Sequence, residues 1–295
     1  MAMVGGTRVR NTAHLLVEHH LQRHRSRPLP QEHAPRSLDE AYAMQDEFVA
    51  LKARQCGPII GYKIALTTPQ MRQFVGLRDS VAGCLHERQV VRAPASVRAA
   101  DYGRLLVEFE IALLLGSDLR AAGAPHTPHE VAAAVAAAMP AFELADDLGA
   151  DYATLPSRGL ELAADNAWNE GAVLGAPFAD WRAVDLASLR GVARVNGKVV
   201  GEGRGGDAMG SPLAALAWTA NHLRSRGRSL RKGDVVITGS LVASQFPRAG
   251  DLLQFEAGPL RAGRLAGALA RGGPPGGTSA PAPRRAVANP ALGPS

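Results

Sequence analysis

Cysteine is nearly absent. Cys56 and Cys84 are the two in 295 residues, too few for a disulfide framework or a zinc site, and they suit a reducing compartment. Long apolar runs are missing too. The longest, such as Val131 to Met139, fall well short of the roughly 20 residues that span a bilayer. Met1 to Arg10 has no apolar core, so no secretory leader is expected. The glycine-rich run Gly201-Glu202-Gly203-Arg204-Gly205-Gly206-Asp207, expected to be flexible, lacks the Gly-Lys-Ser/Thr of a phosphate loop and does not join a strand to a helix as a dinucleotide site would. No nucleic-acid motif accompanies the arginines. A cytoplasmic protein that engages neither nucleic acid nor membrane is therefore expected.

The net charge of +6 is carried by the ends. Arg261, Arg264, Arg271, Arg284 and Arg285 face no acid beyond residue 260, and residues 1–36 hold six arginines against Glu18 and Glu32. The body between is slightly acidic, which does not describe a polyanion binder. The length allows one large domain or two modest ones.

The chain is organised around Leu105-Leu106-Val107-Glu108-Phe109-Glu110-Ile111-Ala112-Leu113-Leu114-Leu115, which ends at Gly116. It reads as a buried strand. Side chains alternate faces along a strand, so Glu108 and Glu110 point one way and Val107, Phe109 and Ile111 the other. Adjacent buried carboxylates must share a proton or a cation, and an oxygen-only pair suits Mg²⁺, Mn²⁺ or Ca²⁺. Two solvated glutamates at a sheet surface are the alternative.

Asn11 to Arg23 reads as a helix. Five of the nine histidines lie in this N-terminal part. His20 and His24, one turn apart, could ligate a metal, but with no acidic partner nearby in sequence a solvated face is expected. Ser37-Leu38-Asp39-Glu40 is a capping box for a second helix to about Arg54. Ile59 to Leu66 is a strand whose Lys63 must snorkel or meet an anion. A short helix opens at Thr67-Thr68-Pro69, and Gly76 to Leu85 reads as loop. Thr127-Pro128-His129-Glu130 caps a helix over Val131 to Met139, stopped by Pro140. Ala141-Phe142-Glu143-Leu144-Ala145 is a short strand with a third buried glutamate. Pro156 to Asn169 is a long irregular connection, often a sign of function. Asn196-Gly197 turns a hairpin over Val192 to Gly201. Ser211-Pro212 opens a helix ending by Gly227. The strand Val235-Val236-Ile237-Thr238 is broken by Gly239-Ser240. From Gly272 the composition predicts disorder.

Gly61-Tyr62-Lys63-Ile64-Ala65-Leu66-Thr67, Val107-Glu108-Phe109-Glu110, Ala141-Phe142-Glu143, Ala164-Asp165-Asn166-Ala167 and Gly233-Asp234 to Thr238-Gly239-Ser240 occur in that order. Together they resemble the hydratase/decarboxylase branch of the fumarylacetoacetate hydrolase superfamily, nearest to the 2-keto-4-pentenoate hydratases of aromatic ring catabolism. The resemblance covers about residues 10–260. It implies an α+β fold, a mixed β-roll of the fumarylacetoacetate hydrolase C-terminal type over 59–265, with a small N-terminal helical part over 1–58 and a tail over 266–295. It implies that Glu108, Glu110 and Glu143 bind Mg²⁺ or Mn²⁺, and that Lys63 sits by the substrate carboxylate and the proton-transfer site. Asp165 and Asn166 match an active-site loop, Ser240 a substrate-contacting turn, and Asp79 the region of an acidic residue in relatives. A homo-oligomer is implied, and association with a related hydratase or decarboxylase subunit is open. Arg261-Ala262-Gly263-Arg264-Leu265 does not alternate as the relatives' closing strand does, so that strand is expected to be lost, shortened or replaced.

The implied chemistry is hydration of a 2-hydroxy-2,4-dienoate to a 4-hydroxy-2-oxoacid. Lys63 would pair with the carboxylate or shuttle the proton, and Asp165 would be either the base on water or an Asx turn. The rivals are a 4-oxalocrotonate decarboxylase, which needs a second cationic contact such as Arg158 or Arg204, an acylpyruvate C–C hydrolase, for which His86 alone lies near the motifs, and a non-catalytic partner subunit.

Overall fold

A computed structural model describes residues 2–267. Two helices come first, α1 (Ala2–Gln22) and α2 (Leu38–Cys56). The Ser37 hydroxyl accepts from the Glu40 N–H at the start of α2, satisfying one of the unpaired donors of a first helical turn. Glu40 turns its own carboxylate to the Arg36 N–H and to the Arg8 guanidinium, so the cap also ties α2 to α1.

The chain continues through β1 (Ile59–Ala65), α3 (Pro69–Phe74), β2 (Val81–His86), β3 (Val90–Arg92) and β4 (Ala95–Val97). Next come β5 (Leu105–Leu115), α4 (Pro128–Ala134), β6 (Val135–Asp146), α5 (Gly159–Ala164) and β7 (Asn169–Leu174). The hairpin of β8 (Arg190–Val195) and β9 (Lys198–Arg204) turns at Asn196-Gly197, both at positive φ. α6 (Pro212–Ser225), β10 (Val235–Ser240), β11 (Leu252–Ala257) and β12 (Leu260–Gly267) complete the order.

The strands form two mixed sheets. The larger runs β2-β1-β10-β5-β6-β7-β3 and the smaller β4-β12-β11-β8-β9. β1 runs parallel to β10, while β5 is antiparallel to both its neighbours. This is the α+β mixed roll that the sequence leads one to expect. Gly61 explains its own place in β1: a Cβ there would lie 2.1 Å from the Val235 carbonyl oxygen of β10.

The period of two along β5 divides its side chains between a core and a site. Val107, Phe109 and Ile111 are fully buried. Phe109 meets Phe142 of β6 edge-on at 5.5 Å between ring centroids and Phe255 of β11 at 5.7 Å. Such pairs contribute about 0.5–1.5 kcal/mol beyond their burial, and this triad joins the two sheets. The other face of β5 carries Glu108 and Glu110, with Ala112 and Leu114 beyond them in a separate apolar cluster.

Five local expectations are corrected. Residues 81–85, read as loop, fall in the six-residue strand β2. All six are buried, so no alternation marks them as a strand. The alanine-rich helix ends at Ala134, and its remainder joins β6, which runs through Pro140. Pairing with β5 along almost its whole length overrides alanine's helix preference there. The proline is tolerated because the ladder to β7 stops at Leu174. The Pro140 carbonyl still accepts from Gly175 N–H, and the Gly175 carbonyl is met by Arg92.

The long connection contains α5 and a tight turn over Asn166–Trp168. The stretch 201–207 is not a flexible loop but lies in β9 and a following turn. A Cβ on Gly203 or Gly205 would lie 1.9 Å from the carbonyl of Leu241 or Leu186, so these glycines serve close packing. The closing strand is present as β12, paired antiparallel with β11 and parallel with β4. The tail expected to be disordered lies, from residue 268, outside the described residues.

Replacing Phe255 by Ala should cost about 3–5 kcal/mol, measured by urea unfolding. A loss under about 1 kcal/mol would contradict the triad as the link between the sheets.

Candidate active site

Register puts the charged side chains together. Glu108 of β5 lies opposite Glu143 of β6, and Glu110 lies between Ala141 of β6 and Ser240 of β10. Lys63 reaches in from β1, and its Nζ stands 2.9 Å from Glu143 Oε1. Lys63, Glu110 and Glu143 are buried, and Glu108 is half-buried, which makes it the exposed side of the cluster. Lys63 therefore meets an anion rather than snorkelling to solvent.

Each carboxylate is tethered by one oxygen. Glu110 Oε2 accepts from the Gly239 N–H at 2.6 Å, Glu143 Oε1 from Asn169 Nδ2 at 3.0 Å, and Glu108 Oε1 from the Ser244 hydroxyl at 2.7 Å. Glu110 Oε1 and Glu143 Oε2 are buried with no hydrogen-bond partner. Buried acceptors of that kind are rare without a ligand. One oxygen from each of the three glutamates lies within 4.8 Å of the others, the one such group of three among the described residues. Three carboxylates against one ammonium leave an excess of two negative charges. An all-oxygen site with that excess fits a hard divalent cation.

The electrostatics point the same way. Burial first, then Glu143 and Glu108, push the Glu110 carboxyl well above the ordinary carboxylate range, against Lys63 and the Gly239 N–H. Burial also raises Glu143; Lys63 opposes this and Glu108 adds to it. Burial would lower Lys63, but Glu143, Glu108 and Glu110 together hold it above the ordinary lysine range. Lys63 is thus an ammonium, while the carboxylates are short of positive charge.

The remaining expected residues divide. The Ser240 hydroxyl accepts from the Phe109 N–H and donates to the Val242 carbonyl, shaping the turn beside Glu110. Asn166 spends both ends of its amide on the backbone of Cys84, and the neighbouring Ala167 carbonyl accepts from Lys63 at 3.4 Å. Asp79 is exposed and accepts from Ser80 N–H and from Trp218 of α6. Asp165 directs its carboxylate to His20 Nε2 at 2.7 Å.

That contact corrects the reading of His20 as part of a solvated face. It is buried, with Asp165 on one nitrogen and Glu170 Oε1 at 3.1 Å from the other. The acids come from 145 and 150 residues away, so no local pattern marks them. His86, the histidine nearest the motifs in sequence, bonds the Gly57 carbonyl at the end of β1 opposite Lys63, which gives the acylpyruvate hydrolase reading no histidine at the carboxylates. Asn169 and Ser244 were not anticipated. Asn169-Glu170, two polar residues opening the buried strand β7, was the available signal; for Ser244 there was none. Among the described residues no helix is long and apolar enough to cross a membrane.

Comparison with known proteins gives a consistent set of relatives. Residues 63–269 match the family described as Fumarylacetoacetate (FAA) hydrolase C-terminal. The chain is 33% identical over 201 residues to a 2-keto-4-pentenoate hydratase of Burkholderia vietnamiensis, covering 68% of this chain and 75% of that one. It is 28% identical over 240 residues to a 4-oxalocrotonate decarboxylase of Pseudomonas putida, covering 80% and 89%. Among solved structures it is similar to 4-oxalocrotonate decarboxylase from Pseudomonas putida G7 complexed with magnesium and adipate, with a TM-score of 0.80 and 25% identity over 88% of this chain and 96% of that one.

Protons and a cation compete for Glu110 and Glu143, so Mn²⁺ affinity should fall as pH drops through their raised pKa values, and binding should release protons. Calorimetry in two buffers of different ionisation enthalpy reads that release. At 100 times its dissociation constant the ion should stabilise the fold by about 2.7 kcal/mol, an effect that Glu110→Gln abolishes. Equal stabilisation of both proteins would place the ion elsewhere.

Proposed function

Because the chain belongs to the fumarylacetoacetate hydrolase family, we propose that it is a lyase that hydrates a 2-hydroxy-2,4-dienoate of the 2-keto-4-pentenoate type to a 4-hydroxy-2-oxoacid. The observation that carries the reading is the cluster of buried Glu110 and Glu143 with half-buried Glu108, and Lys63 at its edge. Relatives named 2-keto-4-pentenoate hydratase support the substrate class.

A Mg²⁺ or Mn²⁺ ion held by the three glutamates would supply Lewis-acid stabilisation of negative charge on the substrate's carboxylate and 2-oxygen. The chain's own residues supply the rest. The Lys63 ammonium lies between Glu143 Oε1 and the Ala167 carbonyl, and in this reading it pairs with the substrate carboxylate or moves the proton. Proton delivery to C5 of the dienol gives the 2-oxo-3-enoate, which is electrophilic at C4. Water adds there, and protonation at C3 gives the 4-hydroxy-2-oxoacid. Asn169, Ser244 and the Gly239 N–H hold the carboxylates in register, so the site is organised before substrate arrives.

The decarboxylase reading is supported by the similarity to the magnesium and adipate complex over most of both chains and by the Pseudomonas putida relative named 4-oxalocrotonate decarboxylase. The two reactions share stabilisation of a dienolate and differ in whether water is added or carbon dioxide leaves. The arginines expected for a second carboxylate are otherwise engaged: Arg158 pairs with Glu161, and Arg204 donates to the Ser188 carbonyl. This favours the monocarboxylate. A place in aromatic compound catabolism, a cytoplasmic setting and assembly as a homo-oligomer, with or without a related subunit, belong to the same proposal.

Freshly generated 2-hydroxypenta-2,4-dienoate should lose its ultraviolet dienol band with Mg²⁺ and the protein, yielding 4-hydroxy-2-oxopentanoate, and EDTA should stop the loss. Lys63→Met should lower kcat by about 10²–10⁴-fold, the span of a lost acid–base group. Carbon dioxide released from 4-oxalocrotonate, with no turnover of the dienoate, would replace the hydratase reading by the decarboxylase one.

A further inference from the structure

The buried charges next to the carboxylate site form a second cluster, built on the N-terminal helices. His20 of α1 places Nε2 2.7 Å from Asp165 Oδ1 and Nδ1 3.1 Å from Glu170 Oε1. Lys52 of α2 stands 2.5 Å from the same Glu170 oxygen, and Gln89 donates to the other at 2.9 Å. The side chains of His20 and Glu170 are 7% and 1% exposed. Burial would lower the His20 pKa, but Asp165 and Glu170 outweigh it and raise it to about 10. Two cations and two anions thus close a charge-balanced, largely buried cluster.

The two acids bracket the segment that serves the active site. Between them, Asn166, Ala167 and Trp168 all hold positive φ, at 51°, 48° and 60°. None is glycine, and three such residues in succession persist only where their surroundings hold them. This turn presents the Ala167 carbonyl to Lys63, and Asn169 follows at once with its amide on Glu143.

We infer that His20 is a positioning residue, an imidazolium clamp from α1 that holds Asp165 and Glu170 and thereby fixes the 165–170 turn against Lys63 and Glu143. Asp165 then acts through His20 and not as the base on water. Its carboxylate is turned to the imidazole, while the turn's contact with Lys63 is made by backbone. The N-terminal helices are part of the catalytic apparatus in this account.

The kinetic test rests on the lyase reading, and a second readout does not. Asp165→Asn and His20→Gln should each lower kcat at least tenfold, with KM within threefold. The double variant His20→Gln/Asp165→Asn, which can restore a neutral amide–amide hydrogen bond, should recover at least tenfold over Asp165→Asn. A double variant as inactive as Asp165→Asn would make the carboxylate itself the reacting group and overturn the inference. So would a His20→Gln kcat within twofold of the parent protein. Hydrogen exchange decides independently of any substrate. His20→Ala, or His20→Gln if the former does not fold, should speed amide exchange across 165–170 at least tenfold while leaving β5 unchanged. Unchanged exchange across 165–170 overturns the inference. Failure of the parent protein on both substrates would sink the lyase reading and leave the exchange result to decide this one.

Discussion

Three carboxylates and one ammonium share a volume from which water is largely excluded, and much of the surrounding architecture follows from the need to hold them there. Like charges on neighbouring strands repel, and burial removes the solvent that would screen them. Strong β pairing on both sides of β5 supplies the opposing stability, with the Phe109, Phe142 and Phe255 contacts behind it. The strand that carries the least comfortable charges lies between two partners along most of its length. The alternation that sends the phenylalanines one way sends Glu108 and Glu110 the other.

That alternation is why so much was legible in the sequence. A short apolar run with Glu-x-Glu inside it can satisfy a strand only by giving one face to the core and the other to the carboxylates. Lys63 and Glu143, each alone in an apolar stretch, signalled partners in the same way, and they turned out to be each other's. What stayed hidden has two physical causes. Strands buried on both faces, such as β2 and the first half of β6, carry no period, and alanine and proline there mimic a helix and its stop. Contacts made across long separations leave no local trace. His20 meets Asp165 across 145 residues, and Ser244 meets Glu108 across 136. The glycines at 203 and 205 also read as flexible, although there they permit close packing and not freedom.

The site also shows how a roll with an added helical layer can tune one centre. The carboxylates, Lys63, Gly239 and Ser244 all come from the sheet and the turn that follows it, whereas Asp165 and Glu170, which flank the turn at 166–168, meet side chains from α1 and α2. A residue of the helical layer can thus change the position of the Ala167 carbonyl without touching Glu108, Glu110 or Glu143.

Glu108, Glu110 and Glu143 are proposed as the ligands of a divalent cation. The most direct measurement is an anomalous difference map from crystals soaked in Mn²⁺. One dominant peak is expected among the three carboxylates, bonded to Glu110 Oε1 and Glu143 Oε2, the buried oxygens with no hydrogen-bond partner. A map with no peak there, or with Mn²⁺ only at other acidic groups, would contradict it.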